Sequence, residues 1–258
     1  MISPTRIATI AANTIREAVR SKLLYTLLFF SILMIGSGVF LSALSYVETE
    51  RILQDVGLAA IRLFSVAIAI FVGVGLIHRE VDRRTVYTIL SKPLSRSEFL
   101  LGKYLGLVAT IWMQMAVMVL AFAAVSQATG APIGASHAAA FALTAVELAL
   151  TVAVATLFSS FTTPMLASYF SAAVWFVGNL TRNLRDLGED SEVESMRIAT
   201  RWIYEVLPDI ESFNLSIEAV HQLPVTAADL WLPTLYGAGY IAILLVIATA
   251  LFERRDFR

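Results

Sequence analysis

Long apolar runs broken by short polar stretches organise most of this chain. The runs lie near Leu23 to Leu44, Gly57 to Ile77, Tyr104 to Ser126, Ala138 to Phe158, Met165 to Leu180 and Thr234 to Phe252, the fifth being the shortest. A hydrocarbon core about 30 Å thick needs roughly 20 apolar residues per helix, so the pattern predicts six transmembrane helices. The expected fold is an all-α integral membrane protein, a single transmembrane domain over residues 1–258. An even number of crossings places both ends on one side. Three polar stretches interrupt the pattern: 1–22, 78–103 and 181–233.

The first of these predicts an amphipathic helix. Ser3 before Pro4 is a favourable start, a capping side chain ahead of a proline whose missing N–H costs nothing in the first turn. At about 100° per residue Ile7, Ile10, Ala11, Ile15 and Val19 gather on one side, and Arg6, Asn13, Arg16 and Arg20 on the other. Such a helix is expected to lie in the headgroup plane. In the third stretch Asp186 to Ser195 is acidic and polar. Ile198, Trp202, Ile203, Val206 and Leu207, and after Pro208 Ile210, Phe213, Leu215, Ile217 and Val220, predict two short amphipathic helices against the outer leaflet or the bundle mouth.

The middle stretch is a rigid handle. From Val81 to about Ser91 the composition suits a short helix, and Pro93 ends it by biasing Lys92 away from the helical region. Ser95-Arg96-Ser97-Glu98 then matches a capping box ahead of Phe99, Leu100 and Leu101. A short helix held between two spans passes any applied force into both.

Composition agrees with a membrane protein. The chain is 58% hydrophobic and 15% charged, with a mean hydropathy of +0.75, against the roughly 45–50% apolar share of soluble domains. The net charge of −1 conceals an asymmetry. Arg6, Arg16, Arg20 and Lys22, then Arg79, Arg83, Arg84, Lys92, Arg96 and Lys103, then Arg254, Arg255 and Arg258 all fall on one face of a six-span arrangement, whereas 181–233 is rich in Asp and Glu. By the positive-inside rule both termini and the handle are cytoplasmic. The first run is too long for a signal-peptide core and reads as a retained anchor, although Ala43 and Ser45 form a passable cleavage pattern. With no cysteine there is neither a disulfide nor a thiolate metal site.

Glu80-x-x-Arg83-x-Thr85, followed by Leu90-Ser91-Lys92-Pro93-Leu94-Ser95-Arg96-Ser97-Glu98-Phe99-Leu100-Leu101-Gly102-Lys103-Tyr104-Leu105-Gly106, resembles the first cytoplasmic loop of ABC-2 type permeases, the membrane subunits of ATP-driven exporters. The likeness is greatest to the bacterial branch that includes the permease serving nitrous-oxide reductase maturation. It extends to the amphipathic start, the six spans, the long outer loop and the basic tail. Arg84 departs from the pattern, where many members have glycine.

The resemblance implies a coupling helix, about Val81 to Ser91, that seats in a groove of a separate ATP-binding subunit. Its coupling residues would be Glu80, Val81, Arg83, Arg84, Thr85, Leu90, Lys92, Pro93 and Arg96. It also implies two ATPase copies carrying ATP and Mg²⁺, a second permease copy as homodimer partner, and residence in a bacterial cytoplasmic membrane among its lipids. An extracytoplasmic accessory protein fits the long outer loop, and no nucleic acid is expected.

The chain itself has no engine. Gly102-Lys103 is followed by Tyr104 where a phosphate-binding loop needs Ser or Thr, and Ser97 stands where its first glycine should be. His78, His137 and His221 are scattered, none with a second ligand at metal spacing. No enzymatic activity and no cofactor are expected of this polypeptide. Met113, Met115 and Met118 read as ordinary packing.

Arg62 and Glu147 are the ionisable residues that fall within spans, so they are functional suspects able to pair across helices. Gln114 and Asn179 are expected to hydrogen-bond neighbouring helices. Two rivals remain: an ion-coupled secondary carrier that protonates Glu147, and an intramembrane enzyme acting on lipids, for which no nucleophile and base are evident.

Overall fold

The computed structural model describes residues 3–43, 49–82, 95–131, 133–189 and 193–254. Among them the chain is helical throughout, with no strand: α1 (Pro4–Val19), α2 (Lys22–Ala43), α3 (Thr49–Asp82), α4 (Arg96–Thr129), α5 (Ala135–Phe161), α6 (Pro164–Gly178), α7 (Thr181–Glu189), α8 (Glu194–Val206), a 3₁₀ turn (Glu211–Phe213), α9 (Ser216–Val220) and α10 (Ala227–Arg254). Five of these, α2, α3, α4, α5 and α10, are long and apolar enough to cross a membrane.

The fifth predicted span differs. It forms as α6, with 15 residues and hence about 22 Å, short of the roughly 30 Å of hydrocarbon. The reason is a tertiary contact. The Gly178 carbonyl accepts the Ile210 N–H at 3.0 Å, and a Cβ on Gly178 would stand 2.5 Å from Ile210 Cγ1 and 2.8 Å from the Pro208 carbonyl oxygen. The outer segment therefore folds back onto the end of α6. Hydropathy had merged Asn179 and Leu180 into the span.

α3 and α5 are the most enclosed helices, and α2 and α10 the most exposed. Lipid tails are as apolar as leucine, so helices in a bilayer associate through close packing of small side chains more than through a hydrophobic effect. The contact between α3 and α5 has that character: Ala60, Ala69, Ala153 and Ala155 are fully buried, and Gly73 lies close to the Ala155 methyl. Ile68, Leu107 and Leu148, all fully buried, fill the remaining space between α3, α4 and α5.

α3 and α4 each have 34 residues, about 51 Å, so both outreach the hydrocarbon by roughly 20 Å. α4 opens with the predicted capping box: Ser95 Oγ accepts the Glu98 N–H at 3.2 Å and Glu98 Oε2 accepts the Ser95 N–H at 3.1 Å. α10 starts at Ala227, ahead of the predicted Thr234, and carries Pro233 inside it.

The described ends of the chain meet at the start of α4. α1 lies along its first turns, and Phe252 near the end of α10 stacks on Phe99, with ring centroids 6.1 Å apart. At the opposite end Ile210, Phe213, Ala219 and Val220 are buried in the bundle mouth against α3, α5 and α10. α8 behaves otherwise, with Trp202 63% exposed. α7 occupies the beginning of the stretch that had read only as acidic and polar.

Candidate functional site

Two places concentrate chemistry. The first is the end of the bundle where α3 ends and α4 begins. Glu80 and Val81 stand in the last turn of α3 and Arg96 is the first residue of α4. Arg83, Arg84, Thr85, Leu90, Lys92 and Pro93 lie outside the described residues.

What holds this end together is α1. Its apolar side was expected to meet lipid, but Ile7, Ile10 and Ala11, together with the buried Thr14 and Ala18, turn toward protein, while Val19 is exposed. Gly102 and Gly106, one helical turn apart on α4, make the approach possible. A Cβ on Gly102 would stand 2.7 Å from Ile10 Cβ, and one on Gly106 2.6 Å from Thr14 Cβ and 2.7 Å from the Ala11 carbonyl oxygen. Backbone thus packs nearly on backbone.

Charge completes the attachment. The buried Glu98 carboxylate accepts the Ser3 N–H at 2.6 Å and has Arg6 at 3.8 Å. Its position at the start of α4 also suits the helix dipole. Lys103, 2% exposed, pairs with Glu17 at 3.4 Å. Ser3 does not act as the predicted side-chain cap; its hydroxyl pairs with that of Thr5.

The second place is inside the bundle. Arg62 Nε donates to Glu147 Oε2 at 2.8 Å, joining α3 to α5. Glu147 is wholly buried, and its other oxygen accepts Trp175 Nε1–H of α6, also at 2.8 Å. Arg62 Nη2 donates to Asn179 Oδ1 at 2.7 Å, and Asn179 Nδ2 donates to the Trp175 carbonyl. The guanidinium carbon lies 5.9 Å from the centre of the Trp175 ring. Three helices therefore converge on one neutral polar knot at the end of α6.

Both carboxylate oxygens are occupied, so the knot is a fastening whose charges are satisfied in place. Removing either ion alone would strand the other in a dry interior. Sequence reading singled out Arg62 and Glu147 and anticipated a cross-helix bond for Asn179. It missed Trp175, although Trp175 and Asn179 stand four residues apart and so share one helix face. Gln114 differs from expectation: it is buried, and among the described residues its amide has no partner.

Among the described residues no group of His, Asp and Glu gathers closely enough to hold a metal ion. In comparison with known proteins, residues 8–257 match the family described as ABC-2 family transporter protein. No curated protein matches the chain.

Proposed function

Because the chain belongs to the ABC-2 family of transporter proteins, we propose that it is the permease subunit of an ATP-driven exporter, coupled to two copies of a separate ATPase and paired with a second copy of itself. The observation that carries this reading is the fastening of α1 to the start of α4. Two 34-residue helices flank the segment 83–94, and α1 braces one of them beside that segment through two glycine contacts and two ion pairs. A displacement delivered by an ATPase at the loop then enters the bundle as movement of α3 and α4.

Six crossings fit this arrangement. The described ends of the chain meet beside the start of α4, which supports an even number of passages, with α6 and the infolded segment 206–220 as the fifth. The surplus of Lys and Arg at that end supports a cytoplasmic setting for both termini and the handle, in a bacterial cytoplasmic membrane. ATP and Mg²⁺ bind the partner. The carrier reading has less support, since Glu147 is wholly buried and already bonded to Arg62 and Trp175.

Affinity purification from native membranes, with mass spectrometry and an ATPase assay on the eluate, tests the proposal. A stoichiometric ATPase is expected, lost in Glu80→Lys and Arg83→Glu while membrane insertion persists. Unchanged association and activity in both variants would remove the handle from its role. Proton-driven transport by the purified chain without any ATPase would replace the permease reading with the carrier.

A further inference from the structure

Two helices act as rulers for the depth of the segment between α8 and the 3₁₀ turn. α6 starts near the handle end of the bundle, where its Ala167 packs with Val74 of α3 and Ala155 of α5. Its 15 residues carry it about 22 Å, some 8 Å short of the far edge of a 30 Å hydrocarbon core. At that stopping point the Gly178 carbonyl accepts the Ile210 N–H at 3.0 Å. α10 gives a matching answer from the opposite side. It carries no charged residue over 230–252, about 34 Å of helix, so this stretch fills the hydrocarbon. Tyr236 and Tyr240 stand about 9 and 15 Å inward from Leu230, and their side chains lean a few ångströms back toward the N-terminus, which here is outward. The Tyr236 hydroxyl accepts the Asp209 N–H at 3.0 Å, and the Tyr240 hydroxyl donates to the Val206 carbonyl at 2.7 Å. Both rulers place residues 206–210 roughly 5–10 Å inside the outer edge of the hydrocarbon.

The residues held at that depth are unsuited to lipid tails. Asp209 pairs with Arg182 and Glu205 with Arg201, each at 2.9 Å, and the side chains of Arg182, Arg201 and Glu205 are all more than half exposed. Pairing cancels their net charge but leaves exposed polar atoms that still need hydrogen-bond partners, and hydrocarbon offers none. Glu205, Asp209 and Ser212 line a hollow of about 500 Å³, walled on the α10 side by Tyr236 and Tyr240. Leu235, the neighbour of Tyr236 in the chain, is equally exposed but lies outside that lining. α10 therefore shows two surfaces at one level, a polar one toward the hollow and an apolar one away from it. We propose that residues 205–212 and the outer half of α10 enclose a water-filled recess that reaches below the outer edge of the hydrocarbon and forms the outward mouth of the transport path. The recess stands on depth and chemistry alone, whereas its role as a mouth rests on the permease reading.

The chain has no cysteine, so single-cysteine labelling in spheroplasts tests the proposal without background. Ser212→Cys and Glu205→Cys should react with a charged, membrane-impermeant maleimide at least about tenfold faster than Leu235→Cys, because a thiol facing lipid resists ionisation and meets no reagent. Both changes are mild: Ser212→Cys is nearly isosteric, and the ion pair lost in Glu205→Cys is an exposed one between residues four apart on a helix. Complete reaction of all three variants in SDS establishes that each cysteine is present. Labelling of Ser212→Cys and Glu205→Cys as slow as that of Leu235→Cys would overturn the recess, whether lipid or a second copy of the chain is what covers it. The mouth is read separately, by comparing nucleotide-free membranes with membranes trapped by ATP and vanadate. Labelling of Ser212→Cys should change severalfold between the two states. Equal rates with the ATPase bound would overturn the role while the recess stands. Absence of any ATPase partner would remove the permease reading and the mouth with it, and the labelling contrast with Leu235→Cys would still decide the recess.

Discussion

Gly106→Ala tests the attachment of α1 most directly. The new Cβ would lie 2.6 Å from Thr14 Cβ, 2.7 Å from the Ala11 carbonyl oxygen and 3.0 Å from Ala11 Cα, where ordinary contact begins near 3.4 Å. Two of these neighbours are backbone atoms and cannot rotate aside, so α1 as a whole must retreat by about 0.7 Å, at a cost of roughly 1–3 kcal/mol. Alanine also favours the helix over glycine by about 1 kcal/mol. That gain belongs to α4 whether α1 is docked or not, so global stability reports only the difference while the docking of α1 loses the full amount. Hydrogen exchange followed by mass spectrometry separates the two. The amides of α1 that follow Pro4 should exchange roughly 5- to 150-fold faster in the variant, with a smaller change in thermal midpoint. Gly75→Ala is the control, because nothing lies within 4 Å of its Cβ position: α1 exchange should stay at the wild-type rate and stability should hold or rise. Wild-type exchange of α1 in Gly106→Ala would refute the argument that close backbone approach holds this helix.

Two further substitutions probe the remaining fastenings. Arg62→Met or Glu147→Met alone strands a buried charge and should destabilise the detergent-solubilised protein by about 3–5 kcal/mol, whereas the double variant should recover most of that loss; an additive double variant would show that the pair is not coupled. Ser95→Ala removes one half of the capping box and should cost about 1 kcal/mol, visible as faster exchange at the first turn of α4, with protection beyond the second turn unchanged.

The parts of this architecture legible in the sequence are those set by local physics. Five long helices follow from hydropathy, and the start of α4 from Ser95 and Glu98, because a capping box is closed by residues three apart. The length of α6 was not legible, since its end is fixed by Ile210 and Pro208, about 30 residues downstream. The orientation of α1 was hidden for a related reason. A helical period reports that one face is apolar but not whether lipid or protein covers it, and the small Gly102 and Gly106 that decide the matter read equally well as ordinary transmembrane glycines. The polar knot was half legible: charge in an apolar run marks itself, whereas Trp175 looks like any aromatic until the fold brings it to Glu147.

The position of the knot along α3 sets a mechanical ratio. Arg62 is 20 residues from Asp82 and 13 from Thr49, arms of about 30 Å and 20 Å on a straight helix. If the knot is the fulcrum, a push of about 3 Å at the loop end becomes about 2 Å of opposite travel at the other end, with force raised by half. Such a lever trades stroke for thrust. It suits a machine that must part tightly packed helices over a short distance better than one that must sweep a wide opening.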